Sequence, residues 1–142
     1  MTKSNLFLFI AAAGLALAGC NKAESPAEVQ HDTAQAQADA QRDVADAQAD
    51  AKEKMADAQK DVVDAQHDND ADDVADQARD ASETAAEGDF KVAVARAEAT
   101  HKIAVEKCEA LSGKAQEDCK DRADNDLENA KRAAEARRDG SG

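Results

Sequence analysis

Two cysteines near the carboxyl-terminal end of the chain have the residue type and the spacing that could form a disulfide bond. Cys108 and Cys119 are 11 residues apart, and Ser112-Gly113 lies midway between them. In one continuous helix they would be about 16 Å apart along the axis, whereas a disulfide requires Cα atoms within about 7 Å of each other. A bridge within the chain therefore requires the helix to fold back at Ser112-Gly113. Bridges between chains and a pair of free thiols are the alternatives that the spacing leaves open.

One acidic segment begins like a metal-binding loop. The pattern Asp68-x-Asp70-x-Asp72 resembles the start of a calcium-binding EF-hand loop, but Asp73 stands where that loop has glycine and Arg79 where it ends in glutamate. An EF-hand is therefore not predicted. Diffuse, weak binding of divalent cations to the acidic side chains remains physically reasonable.

The remaining candidates for chemistry form no recognisable catalytic or metal-binding pattern. No histidine has a His or Cys partner three or four residues away, so we expect each to be solvated: His31, His67 and His101. The sequence contains no CxxC pair, no Gly-rich phosphate loop and no nucleophile motif. We therefore expect that the protein binds no metal and no cofactor and that it is not an enzyme.

The amino-terminal segment predicts export. Lys3 precedes an apolar run over residues 6–18, which is shorter than the about 20 residues that a membrane-spanning helix needs. Such a run is typical of a secretory signal peptide, and we assign residues 1–19 to it. An exported chain would meet an oxidising compartment, which favours the intrachain Cys108–Cys119 bridge.

The end of that apolar run, Leu17-Ala18-Gly19-Cys20, resembles the bacterial lipobox at all four of its positions. The resemblance implies cleavage before Cys20, diacylglycerol on its sulfur and acylation of its new amine, so that the chain would be anchored in a bilayer. A soluble secreted protein is the alternative. Asn21, rather than Asp, follows the cysteine, which implies delivery to the outer membrane of a Gram-negative bacterium, facing the periplasm; the inner membrane is the second choice. Residues 20–27 are predicted to be a flexible tether.

The composition argues against a globular core. The chain has 142 residues and a net charge of −13, and after residue 19 it contains 31 Ala but only 12 Leu, Ile, Val and Phe together. Burial of Ala side chains releases too little free energy to offset the ordering of a compact domain with a buried pocket. The negative charge is concentrated before residue 90, which disfavours nucleic acid as a partner.

An internal repeat predicts a long helix over residues 28–87. The pattern D-A-Q-x-D begins at Asp39 and recurs after 7, 11 and 7 residues, spacings that return to one face of a helix. A continuous helix of this length would extend about 90 Å, with a hinge or frayed turn near His67 to Asp73 and an end at Gly88. Two alternatives remain: a helical spacer or coiled coil, including a homo-oligomer, and a solvated acidic segment that is partly disordered. The inner face of the helix would consist of Ala40, Val44, Ala47, Ala51, Met55, Ala58, Val62 and Ala65.

Residues 89–137 are predicted to form a helical hairpin. Asp89 would cap its first helix, Ser112-Gly113 would form the turn, and residues 138–142 would be a loose tail. Around this turn, the pattern C-x2-L-x-G-x5-C looks like a motif of small Ala-rich envelope proteins of proteobacteria, most of which have no assigned function. The resemblance implies a helical exported protein and brings no catalytic residue. The predicted fold class is therefore all-α, with a long Ala/Asp-rich arm, a disulfide-bridged hairpin and no globular core.

Two functions follow from these features. The chain is loosely similar to the murein lipoprotein, although it lacks that family's terminal lysine and thus its covalent link to the wall. The first hypothesis is a structural or interaction lipoprotein that contacts peptidoglycan or another envelope protein through the hairpin at the far end of the arm. The second is a hydrophilin-like protein that protects the envelope or buffers cations. Four basic residues near the end could contact an anionic partner or simply solvate the helix: Lys131, Arg132, Arg137 and Arg138.

Overall fold

The computed structural model describes residues 22–68 and 71–140, which form three α-helices. Helix α1 comprises Pro26–Asp68, α2 comprises Ala71–Cys108 and α3 comprises Lys114–Asp139. Successive helices are antiparallel, and both α1 and α3 pack along α2. Within the described ranges, α1 and α3 do not pack against each other and no strand is present. The prediction of an all-α fold is confirmed.

The first helix begins inside the segment that we expected to be a flexible tether. The Ser25 hydroxyl accepts a hydrogen bond from the Glu28 amide at 3.3 Å, and the Glu28 carboxylate accepts one from the Ser25 amide at 3.0 Å. This reciprocal pair is a capping box, which satisfies backbone donors at a helix start. Pro26, the first helical residue, has a backbone angle suited to that position. The helix therefore begins at Pro26 and not at residue 28.

The predicted 60-residue arm is two antiparallel helices. Helix α1 ends at Asp68 and α2 begins at Ala71, where the pattern had indicated a hinge. Gly88 does not end the arm, and Asp89 does not cap a new helix, because both lie within α2. Gly88 is buried, and a Cβ built on it would lie 3.1 Å from the Ala51 Cβ. A methyl group here would require a shift of a few tenths of an ångström, and a larger side chain would require α1 and α2 to separate.

The predicted inner face of α1 packs against α2 of the same chain. Ala40 and Ala65 are each only 3% exposed, and Val44, Ala47, Ala51, Ala58 and Val62 are half-buried. Met55 is the exception, with 39% exposure. The residues of this face were identified correctly, and within this chain they pack against α2.

The interior of the bundle is thin and consists of small side chains. Among the described residues, the buried apolar side chains belong to Ala40, Ala65, Cys108, Ala123 and Ala134. Helix α3 extends along α2 only as far as Phe90 and Glu87, which its Arg138 contacts. Residues 138 and 139, which we expected to belong to a loose tail, are therefore the end of α3. Beyond that level, residues 52–68 and 71–86 form a two-helix end of the molecule. The prediction that the chain lacks a globular core is confirmed for residues 22–68 and 71–140.

Candidate functional site

A disulfide between Cys108 and Cys119 joins the end of α2 to the first turns of α3. The two Cα atoms are 5.7 Å apart, and Cys108 is only 1% exposed. The turn between the helices passes through Gly113, whose φ of +56° favours glycine over other residues. The intrachain bridge and the turn at Ser112-Gly113 are thus where the sequence indicated. We refer to residues 22–25 and 106–120 as the disulfide end of the bundle.

Polar contacts around Glu109 hold the turn in place. The Gln116 side chain, which is 3% exposed, donates to one Glu109 carboxylate oxygen at 2.6 Å. Lys120 Nζ lies 2.5 Å from the other oxygen. Because Gln116 is buried and Ala115 is exposed, the inner face of α3 begins with a polar residue. The hydrogen bond to Glu109 explains how that polar group is accommodated.

The segment that leads to Cys20 is docked at this same end. The Glu24 amide donates a hydrogen bond to the Glu109 carbonyl oxygen at 2.9 Å. Our expectation placed the hairpin at the far end of the arm from the lipid anchor. That expectation is wrong, because α1 runs away from the disulfide end and α2 returns to it. Cys20 itself, the predicted lipidation site, lies outside the described residues.

The carboxyl groups beside the docked segment have shifted pKa values in opposite directions. The pKa of Glu24 is raised, first by burial and then by the negative charges of Asp32 and Glu109. Within the described part of the chain its Oε2 is inaccessible to solvent and has no hydrogen-bond partner. The pKa of Glu28 is lowered, because hydrogen bonds from Ser25 stabilise its ionised form. Ionisation of Glu24 therefore opposes docking, whereas ionisation of Glu28 supports the start of α1.

The structure shows that His101, which we expected to be solvated, is part of the α2–α3 interface. Its Nε2 lies 2.6 Å from an Asp124 carboxylate oxygen, and its side chain is only 24% exposed. His31 contacts its neighbour Asp32 and is 76% exposed, in line with the expectation. His67 is exposed near the end of α1. The sequence carried no local signal for the pairing of His101 because Asp124 is 23 residues away.

The four basic residues near the end of α3 do not form one continuous patch. Lys131 Nζ lies 2.9 Å from the Glu98 carboxylate. The Arg138 guanidinium lies 4.6 Å from the centre of the Phe90 ring and close to Glu87. These two side chains are directed at α2, whereas Arg132 and Arg137 are exposed. Half of the positive charge that we considered for an anionic partner therefore lies in contacts between α3 and α2.

The acidic triplet is divided by a helix boundary. Asp68 is the last residue of α1 and Asp72 is the second residue of α2, while Asp70 lies outside the described residues. In the part of the chain that the structure describes, no group of three or more potential ligands could hold a metal ion.

No helix of residues 22–68 or 71–140 is apolar enough over a sufficient length to cross a membrane.

Comparisons of the chain with protein families, with curated proteins and with solved structures find no match. The roles considered below therefore depend on the residues and contacts of this chain alone.

Proposed function

We propose that this protein is a non-enzymatic lipoprotein of a Gram-negative envelope, held in the outer membrane by acyl chains on Cys20. The lipobox-like sequence Leu17-Ala18-Gly19-Cys20 supports the anchor, and Asn21 supports the outer membrane. The Cys108–Cys119 bridge supports an oxidising compartment, since such bonds persist in the periplasm and are rare in the cytoplasm.

The observation that carries the proposal is the hydrogen bond between the Glu24 amide and the Glu109 carbonyl. Cys20 is four positions before Glu24, and even a fully extended chain over these four steps reaches only about 14 Å. The acyl chains would thus enter the bilayer beside the disulfide end. Helices α1 and α2 would extend about 60 Å from there into the periplasm.

In this arrangement, the two-helix end is the part that reaches an envelope partner. It carries two of the exposed large apolar side chains, Met55 at 39% and Val63 at 49%. Acidic residues of the repeat, including Asp57, Asp61 and Asp64, are exposed around them. A protein with a basic surface or a cation-coated polymer fits this end better than bare anionic wall polymer does. We propose that the molecule acts as a short periplasmic spacer with an interaction surface at its tip.

The anchor is tested by growing the bacterium with a labelled fatty acid and isolating the protein. We expect the label on the wild-type chain and its loss in C20S, because a serine at residue 20 has no thiol to carry the lipid. The double variant C108S/C119S is the matched control, because it also removes thiols but leaves Cys20 in place. A soluble, unlabelled wild-type protein would exclude the lipoprotein function.

A further inference from the structure

The turn between α2 and α3 exposes an apolar side chain that the packing of the bundle does not use. Leu111 is 38% exposed and is the one large apolar side chain of the disulfide end, among described residues, with such exposure. Its neighbours Ala110, Ser112 and Gly113 are exposed as well. The turn is not loose, because the disulfide and the contacts of Glu109 hold it at both sides. Leu111 is therefore presented to the surroundings by a rigid support.

The position of this turn relative to the chain's amino terminus limits what can cover it. The Glu24 amide is bonded to Glu109, two residues before Leu111. Because Cys20 is four residues before Glu24, a lipid attached to Cys20 must enter the bilayer within about 14 Å of that bond. This step depends on the lipidation proposed above. If it holds, the bilayer surface is the partner nearest to Leu111.

The charges of the disulfide end are mixed, with four lysines and five acidic residues, and its exposed lysines are compatible with phospholipid headgroups. Lys22, Lys107 and Lys114 are exposed at the disulfide end, and ammonium groups near a bilayer can pair with lipid phosphates. Lys114 already has a carboxylate partner, Asp118, at 2.9 Å, but its side chain is 83% exposed. Both Glu109 carboxylate oxygens are engaged by Gln116 and Lys120, which reduces the repulsion between this acid and lipid phosphates.

We propose that residues 110–114 form a membrane-contacting tip and that Leu111 enters the interfacial region of the leaflet that holds the Cys20 acyl chains. The partner is the phospholipid surface itself. The tip would be a second point of attachment beside the lipid, so that the bundle stands upright on the membrane. This orientation would keep the two-helix end away from the bilayer.

The composition of the chain allows a direct test, because it contains no tryptophan. The full acylated chain carrying L111W has a single Trp reporter in the turn, and V63W places the same reporter at the two-helix end as the matched control. Both proteins are reconstituted into vesicles of phosphatidylethanolamine and phosphatidylglycerol, with and without bromine on the acyl chains. We expect the L111W emission to shift to shorter wavelength and to fall several-fold with brominated lipid, while the V63W emission stays unchanged. S112W is a second reporter in case L111W disturbs folding.

The outcomes separate this inference from the proposed anchor. Mass spectrometry and flotation of the same samples show whether the protein is acylated and bound to vesicles. If it is bound and neither L111W nor S112W responds to brominated lipid, the tip is excluded and the lipoprotein function stands. Equal quenching of V63W and L111W would mean that the bundle lies flat on the bilayer and would also overturn the inference. A chain without acyl groups would overturn the proposed function and this inference with it.

Discussion

Gly88 of α2 faces Ala51 of α1 so closely that a Cβ on the glycine would lie 3.1 Å from the alanine Cβ. At this distance a single methyl group requires a shift of a few tenths of an ångström, and a longer side chain requires the helices to separate. Gly88 is in the middle of α2, where glycine otherwise disfavours a helix by about 1 kcal/mol relative to alanine. The close approach of the two helices accounts for its presence there.

We therefore expect G88L to destabilise the bundle by about 1–3 kcal/mol, the usual cost of overpacking. G88A should change stability much less, because its gain in helix propensity opposes a small steric clash. The free energy of unfolding is measured by urea denaturation followed by circular dichroism. A78L is the matched control, since Ala78 is exposed on the same helix. If G88L and A78L were equally stable, the proximity of α1 and α2 at this point would be disproved.

The same glycine illustrates which parts of the fold could be predicted from the sequence. The inner faces of the helices, the disulfide and the turn at Ser112-Gly113 have local signals in spacing and residue type. A glycine after a long polar helix, however, fits a helix end as well as a close helix contact, and only the packing of α1 on α2 distinguishes the two. For the same reason the spacing gave no indication that Glu24 meets Glu109. By contrast, Ser25-Pro26-Ala27-Glu28 is a recognisable capping box that could have placed the helix start correctly.

The disulfide should supply a large part of the stability of the α2–α3 pair. Closing a loop of this length lowers the entropy of the unfolded chain, which corresponds to about 3 kcal/mol. We expect C108S/C119S to lose about that amount in a C20S background, with a lower melting temperature by calorimetry. Reducing agent should lower the melting temperature of C20S and leave the C20S/C108S/C119S variant unchanged. Covalent dimers of C20S on a non-reducing gel would instead indicate bridges between chains.

Glu24 should make the docking of the amino-terminal segment pH-dependent. Burial and neighbouring acids raise the pKa of Glu24 in the folded state. Its contribution to stability is therefore fully present only below its ordinary value of 4.5, where the carboxyl is protonated in both the folded and the unfolded state. Its contribution is lost as the pH rises through the raised pKa. We therefore expect E24Q to be more stable than the wild type at pH 7, with the difference disappearing below about pH 4.

The pH effect is measured as the difference in melting temperature between E24Q and the parent chain, both in the C20S background, at several pH values. E53Q is the control, because Glu53 is exposed on α1 and remote from Glu24. A constant difference between E24Q and its parent at all pH values would show that the ionisation of Glu24 is unrelated to docking. If E24Q were less stable than its parent at pH 7, the ionised carboxylate of Glu24 would not be unfavourable to folding.

The folded state of the acidic arm distinguishes the spacer from the hydrophilin-like protein that the composition also suggested. Since α2 covers the inner face of α1 within one chain, the C20S protein should be strongly helical in dilute buffer. Its melting temperature by circular dichroism should not change over a tenfold range of protein concentration.

The variant A40D should lose helicity because it places a charge at a position that is 3% exposed. A38D adds the same residue at an exposed position of the same helix and should remain folded. Weak helicity that rises only on drying or with divalent cations would favour the protective function, and a melt that depends on concentration would favour a homo-oligomeric coiled coil.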